Sequence, residues 1–132
     1  MRKLVLALTI GLTSAMAMAA IGCKHPGSAK LEGRWKGVRA DGVGPAVQDA
    51  ANAFATQTEI TARGNVITVS TPQSKGQQGT YVVDDENKTT VVLHTDKDGP
   101  ANKETFGFSE DGKTMTWRLG EGRTIVFQKT KD

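Results

Sequence analysis

The sequence is poor in the residues that most often carry out chemistry. Among its 132 residues are one cysteine, two histidines and one tyrosine, and aromatic residues make up only 5%. A single cysteine excludes a disulfide within the chain. The histidines, His25 and His94, have no partner at the spacing of metal ligands. We therefore expect neither a metal site nor a cofactor.

The chain also lacks the motifs of common enzyme classes. No serine lies in a Gly-x-Ser-x-Gly elbow, and no glycine-rich phosphate loop joins a strand to a helix. The acidic stretches 84–86 and 96–99 lack the further oxygen ligands of a calcium loop, so turn formation explains them better. We expect a protein without enzymatic activity.

The N-terminus has the features of an export signal. Met1, Arg2 and Lys3 are followed by an uncharged stretch, 4–22, whose end is rich in alanine and glycine. A charged start, an apolar centre and small residues before a cleavage site define such signals. A retained membrane anchor is the alternative, because the apolar stretch approaches the length of a bilayer span.

The lone cysteine lies directly after this stretch. The tetrapeptide at 20–23, Ala-Ile-Gly-Cys, resembles a bacterial lipobox. This resemblance implies a lipoprotein whose signal peptide, 1–22, is removed and whose Cys23 carries acyl chains such as palmitate. Two or more chains anchor a protein stably in a membrane. Ordinary cleavage after Ala-Met-Ala, 17–19, is the alternative.

The residue after the cysteine and the charge of the mature chain bear on location and partners. Lys24 is not the aspartate of an inner-membrane retention signal, which favours the outer membrane, facing the periplasm or the cell surface. The chain has 17 basic and 14 acidic residues, and removal of Arg2 and Lys3 leaves 15 against 14. Without a strong positive field, nucleic acid is not an expected partner.

The mature chain is predicted to contain one domain. Residues 23–30 are polar, include Pro26 and Gly27, and read as a flexible tether. The domain covers 31–132. Short segments rich in valine, isoleucine, threonine and aromatics predict about eight strands, near 31–39, 56–62, 65–71, 79–84, 89–95, 103–109, 113–119 and 122–130.

The links between these segments predict an antiparallel arrangement. Gly64-Asn65, Asp111-Gly112 and the glycines of 120–122 suit hairpin turns that need positive φ. The segment 42–56 has apolar residues at helical spacing and predicts one short helix between strands 1 and 2. An all-β, up-and-down barrel follows, because closure removes the unpaired edges of a short meander. A half-barrel or sandwich is the alternative.

The first strand carries a resemblance to a known family. It reads Leu31-Glu32-Gly33-Arg34-Trp35, and Leu-x-Gly-x-Trp at the start of an eight-strand meander resembles the opening strand of lipocalins and of small bacterial lipocalin-like domains. The resemblance implies a glycine that allows close packing and a tryptophan that plugs one end of the barrel. Larger lipocalins cover this tryptophan with an arginine from the last strand, where this chain has Lys129 and Lys131.

The candidate ligand site consists of apolar residues on strands and helix. Alternation groups Met115, Trp117 and Leu119 on one face of their strand, and other strands follow the same rule. These side chains either fill the barrel or line a cavity for one small ligand. The candidate contacts are Trp35, Val47, Phe54, Tyr81, Phe106, Phe108 and Trp117, with the helix as a lid.

Two functions remain open from the sequence. The first is a lipid-anchored module that binds a small apolar ligand in its barrel. The second is a non-enzymatic interaction or structural protein of the cell envelope that binds a protein or peptidoglycan through its surface. A cavity of a few hundred cubic ångströms favours the first, whereas an exposed apolar patch favours the second.

Overall fold

The protein is a closed, eight-stranded antiparallel β-barrel with one short helix. The computed structural model describes residues 27–131. Each strand pairs with its neighbours in sequence, and the first pairs with the last. The strands are β1 (Gly33–Asp41), β2 (Glu59–Arg63), β3 (Val66–Ser70), β4 (Gln77–Glu86), β5 (Thr90–Thr95), β6 (Glu104–Phe108), β7 (Thr114–Gly120) and β8 (Arg123–Lys129). The predicted lipocalin-like barrel is confirmed, and the half-barrel is excluded.

The tight turns explain why consecutive strands pair. Gly64, Gly112, Gly120 and Gly122 all have positive φ, as predicted. Between β7 and β8, Glu121 also has a positive φ of 56°, so both central residues of the turn are left-handed. This geometry matches the twist of a two-residue hairpin.

Side chains alternate between the barrel interior and its outer surface. Most of the fully buried large side chains occupy predicted inward positions, among them Trp35, Tyr81, Phe106, Phe127 and Leu93, whereas Ile60 was not among those predicted. Leu119 departs from the expected alternation and is 41% exposed. The pairing of β7 with β8 shifts between Arg118 and Gly120, so a β-bulge turns this side chain outward.

The first strand closes one end of the barrel. Trp35 is fully buried, and its Nε1 donates to the carbonyl of Leu31 at 2.9 Å. Lys129 Nζ lies 5.4 Å from the centre of the Trp35 ring, which is a cation–π contact. Lys129 therefore covers the tryptophan where larger lipocalins have an arginine. Gly33 has φ +124°, and a Cβ at this position would lie 2.7 Å from Cε of the Lys129 side chain. The glycine therefore leaves room for Lys129 to reach Trp35.

The segment before β1 is packed against this closed end. Ser28 is 4% exposed, and its N–H donates to the Tyr81 hydroxyl at 3.0 Å. The same hydroxyl donates to the carbonyl of Gly64 at 3.0 Å. The structure thus differs from the tether predicted over 23–30, because residues 27–30 belong to the packed domain. The main-chain groups of Ser28 form hydrogen bonds with the Tyr81 hydroxyl and with the N–H groups of Leu31 and Glu32, which no sequence pattern predicts.

Helix α1 (Gln48–Thr56) covers an unpaired part of β1. A 3-10 turn, Pro45–Val47, precedes it, so the α-helix is shorter than the predicted 42–56. The pairing of β1 with β2 stops at Lys36 and Glu59, whereas β1 continues along β8 to Asp41. The helix packs on β1 beyond that point.

Two side chains of α1 form hydrogen bonds with the main chain of β1 where β2 does not pair with it. Asn52 Oδ1 accepts from the N–H of Ala40 at 3.0 Å, and Gln48 Nε2 donates to the carbonyl of Ala40 at 2.8 Å. Unpaired main-chain groups are costly when they are buried. The helix therefore completes the wall of the barrel. Among residues 27–131, no helix has the length and apolar character needed to cross a membrane.

Candidate functional site: a pocket at the open end of the barrel

The barrel has one filled end and one open end. Because the strands are antiparallel, the start of β1 with Trp35 shares one end with the turns after β2, β4 and β6. At the opposite end lies a pocket of about 390 Å³. Its lining comes from β3 to β7 and the loop after β5: Ile67, Val69, Gln77, Gln78, Gly79, Leu93, Thr95, Lys97, Asp98, Glu104, Phe106 and Trp117.

The deep wall of the pocket is aromatic. Phe106 and Trp117 pair across β6 and β7, and their rings stack with centres 5.9 Å apart and planes 21° apart. Phe127 supports Trp117 from β8, with ring centres 6.5 Å apart. Such offset contacts hold flat side chains in defined positions. Leu93 and Val69 extend this apolar wall.

The mouth of the pocket is polar and contains an inward-facing carboxylate. Glu104 lies two residues before Phe106 on β6, so both side chains point to the same face. Its Oε1 accepts a hydrogen bond from Trp117 Nε1 at 3.0 Å. Asp98 is held nearby on the loop after β5, where its Oδ2 accepts from Thr95 Oγ1 at 3.1 Å.

The structure brings two of the seven predicted contact residues into this pocket. Phe106 and Trp117 line it. Trp35 and Tyr81 are fully buried in the filled half, and Phe108 packs edge-on against Trp35 at 5.7 Å. These three residues form the floor of the barrel because they lie nearer its closed end.

The helix residues predicted as lid contacts lie elsewhere. Val47 is 53% exposed in the 3-10 turn, and Phe54 is partly buried against the core. Neither residue is in the pocket lining, because α1 packs along β1 whereas the lining comes from β3 to β7. The predicted acylation site, Cys23, lies outside the described residues.

Several lining residues were not among the predicted contacts. Glu104 is the most consequential, and a signal for it was present: it alternates with Phe106 and Phe108, which were assigned to the interior. The charge of Glu104 favours the outer face of the sheet, whereas its alternation with Phe106 favours the face toward the barrel interior. Ile67, Val69 and Leu93 are ordinary barrel positions, and which of them border empty space depends on the volumes of their neighbours.

A second, open cleft lies on the outer wall of the barrel. It is lined by the segment 82–88 together with Gly27, Ala29, Lys30 and His94. His94 Nδ1 lies 2.8 Å from Asp84 Oδ2, and both side chains are largely shielded from solvent. Lys30 pairs with Glu86 at 3.4 Å. Within residues 27–131, no group of three or more histidine, cysteine or acidic side chains could hold a metal ion.

Burial changes the ionisation of the single tyrosine. Its hydroxyl lies in the filled half of the barrel, and desolvation raises the pKa of Tyr81 above its ordinary value. Glu32 and Glu86 raise this pKa further by their negative charges, while the hydrogen bond from Ser28 opposes the shift. Tyr81 is therefore a neutral structural group at physiological pH.

The chain was compared with models of protein families, with curated proteins and with solved structures, and none of them matches it.

Proposed function

We propose that this protein is a lipid-anchored lipoprotein of the bacterial cell envelope whose barrel binds a small apolar molecule. The observation that carries the binding function is the pocket at the open end. It is enclosed by the strands of a closed barrel, with the stacked rings of Phe106 and Trp117 as its deep wall. Binding sites are typically concave and mostly apolar, with few polar groups.

The size of the pocket limits the ligand. Its volume of about 390 Å³ lies at the lower end of the usual range for binding sites, about 300 to 1,000 Å³. The aromatic residues of the closed half leave no room for a ligand that runs the length of the barrel, since Trp35 and Tyr81 are fully buried there. The proposed ligand is therefore compact.

The path of the chain supports an anchor at the closed end. Ser28 is hydrogen-bonded to Tyr81 at that end, and Cys23 lies five positions before it in the sequence. A fully extended chain of that length spans at most about 18 Å. If Cys23 is acylated, the closed end faces the membrane and the pocket opens away from it. The ligand would then enter from the aqueous phase.

The alternative, a surface that binds a protein or peptidoglycan partner, has less support. Among the described residues, the exposed large apolar side chains are Val47 and Leu119. Isolated apolar residues of this kind are common on protein surfaces. The outer cleft beside His94 is lined largely by charged groups, several of which already pair with one another.

Calorimetric titration of residues 24–132 with 1-naphthalenemethanol, a compact neutral probe, tests the binding function. Val69→Trp should weaken binding strongly, because the larger side chain occupies part of the pocket that the ligand needs. Thr68→Trp is the matched control, since the neighbouring residue on β3 faces outward. Equal binding by both variants, or no binding by the wild type, would overturn the proposal.

A separate experiment tests the anchor. The full chain is expressed in bacteria supplied with a labelled fatty acid, and membranes are fractionated. The wild type should carry the label and sediment with the outer membrane, whereas Cys23→Ser should lose the label. A Cys23→Ser protein that fractionates and labels like the wild type would show that the lipoprotein proposal is wrong.

A further inference from the structure

We infer that the pocket selects a small organic cation, such as a protonated or quaternary amine on a compact apolar body. This inference rests on the proposed binding function and goes further, because it names the charge of the ligand. It is carried by Glu104, an inward-facing carboxylate at the polar mouth of a pocket whose deep wall is aromatic.

The position of Glu104 is fixed by its neighbours. It lies on a paired strand opposite Leu93, and Trp117 Nε1 donates to its Oε1 at 3.0 Å. This bond holds the carboxylate over the aromatic wall. A residue on a strand and bonded to a packed ring loses less entropy on binding than a residue on a loop.

Glu104 has no ion-pair partner among the described residues. Within that part of the chain, its Oε2 accepts no hydrogen bond. A partly buried carboxylate without a cation is costly. A ligand ammonium placed in the pocket would supply both the missing positive charge and the missing donor.

The aromatic wall suits the same ligand. A cation held by Glu104 would lie near the N–H edge of the Trp117 indole, so the carboxylate would hold the charge and the rings would hold the apolar part of the ligand. The apolar body of the ligand would then pack on Phe106 and Leu93, deeper in the pocket. The two halves of the pocket therefore match the two halves of an amphiphilic amine.

The remaining charges at the mouth leave it negative. Lys97 and Asp98 are adjacent residues of the loop after β5, and both contribute to the lining. Asp98 is held by Thr95, whereas Lys97 is exposed and has no acidic partner within ion-pair distance in the described chain. With Glu104, the three groups sum to one negative charge. Lys97 is the residue that an anionic ligand would use instead.

Three matched probes separate these outcomes. 1-Naphthylmethylamine, 1-naphthalenemethanol and 1-naphthoate have nearly the same size and differ in charge. Titrated into residues 24–132, the amine should bind at least about tenfold more tightly than the alcohol, as expected for one hydrogen bond to a charged group. The carboxylate should bind most weakly.

Glu104→Gln tests the residue itself. The amide oxygen can still accept from Trp117 Nε1, but the charge is removed. The ratio of amine to alcohol affinity should fall to about one. Glu110→Gln is the matched control, because Glu110 lies in the exposed turn between β6 and β7 at the closed end. It should keep the ratio of the wild type.

The outcomes distinguish this inference from the function on which it rests. If no probe binds, the proposed binding function fails. If the alcohol binds and the amine is not preferred, or if Glu104→Gln keeps the preference, the cation inference alone is wrong. Preference for 1-naphthoate would point to Lys97 and also overturn it.

A measurement on the wild type covers the case in which Glu104→Gln fails to fold. The indole N–H proton of Trp117 is assigned by comparison with Trp117→Phe. The amine should shift this resonance more than the alcohol, because it competes for the carboxylate that the indole contacts. An equal shift by both probes would contradict a contact between the amine and Glu104.

Discussion

At the scale of single residues, Tyr81 connects three parts of the chain at the closed end. Its ring is buried in the barrel, and its hydroxyl joins Ser28 to the β2–β3 turn at Gly64. A buried hydroxyl that both donates and accepts contributes mainly by keeping its partners from being left unsatisfied. The Tyr81 hydroxyl therefore links the N-terminal segment to the barrel, in addition to the bond from Trp35 Nε1 to Leu31 and the ion pair of Lys30 with Glu86.

Tyr81→Phe should lower the free energy of unfolding by about 1 to 3 kcal/mol, because the buried N–H of Ser28 loses its acceptor. Urea unfolding of residues 24–132 measures this change. Thr68→Val is the control, since it removes an outward-facing hydroxyl that makes no hydrogen bond in the described structure, and should change the free energy by less than about 0.5 kcal/mol. Equal effects of the two variants would rule out the proposed role.

The raised pKa of Tyr81 predicts a loss of stability at high pH. The unfolded chain releases the phenol proton near its ordinary pKa of 10.0, whereas the folded chain retains it to higher pH. Below pH 10 the protonated phenol contributes fully to the free energy of unfolding. Above pH 10 this contribution falls, because the unfolded chain loses the proton before the folded chain does. Unfolding measured from pH 8 to 11 should show a decline that is shallower in Tyr81→Phe.

The single tyrosine allows a direct check of this prediction. Tyrosinate absorbance of the native protein reports Tyr81 alone, since the chain contains no other tyrosine. The absorbance should rise at a higher pH in the native state than in urea. Coincident titration curves would show that folding does not raise the pKa of this group.

At the scale of elements, α1 packs beside the part of β1 that follows Lys36, where β2 no longer pairs with it. The contact is close at Gly37, whose N–H donates to the carbonyl of Thr58 at 2.9 Å. A Cβ at this position would lie 1.9 Å from the carbonyl oxygen of Ala55. The absence of a side chain at Gly37 is therefore a condition for docking the helix.

Gly37→Ala should displace α1 and destabilise the protein by at least about 1 to 3 kcal/mol, because the helix backbone cannot yield as a flexible side chain would. Thermal unfolding measures the effect. Gly79→Ala is the matched control, since this glycine also lies in a strand and a Cβ there meets no atom within 4 Å. If both variants unfold at the same temperature, the close approach of helix and strand does not contribute to stability.

At the scale of the whole molecule, the barrel is a filled half joined to an open half. The buried rings of Trp35 and Tyr81 occupy one end, and the pocket occupies the other. Strand β4 runs through both halves, from Gln77 beside the pocket to Tyr81 in the packed core. Local stability should therefore vary along a single strand.

Hydrogen exchange of β4 tests this gradient. Amides of the pocket end, at Gln78 and Gly79, should exchange faster than those at Tyr81 and Val82. Saturation with 1-naphthalenemethanol should slow the pocket end more than the packed end, because the ligand stabilises the state that binds it. Uniform exchange along the strand, or no change on saturation, would contradict the division into two halves.

The sequence determined the class of fold because its signals are local. Alternation in segments such as β6, positive-φ residues at Gly64 and the length of the links require nothing beyond neighbouring residues. Eight short strands with tight turns then leave closure as the way to remove edges. The same local signal identified the fully buried rings of Trp35 and Phe106.

Only the tertiary structure decided which interior positions border a cavity. Alternation assigns a side chain to the interior, but the space left there depends on all the volumes packed across the barrel. It likewise decided that α1 covers an edge of β1 instead of the pocket, that Ser28 is buried, and that no described lysine or arginine forms an ion pair with Glu104. These outcomes depend on contacts between residues far apart in the chain, which no local pattern records.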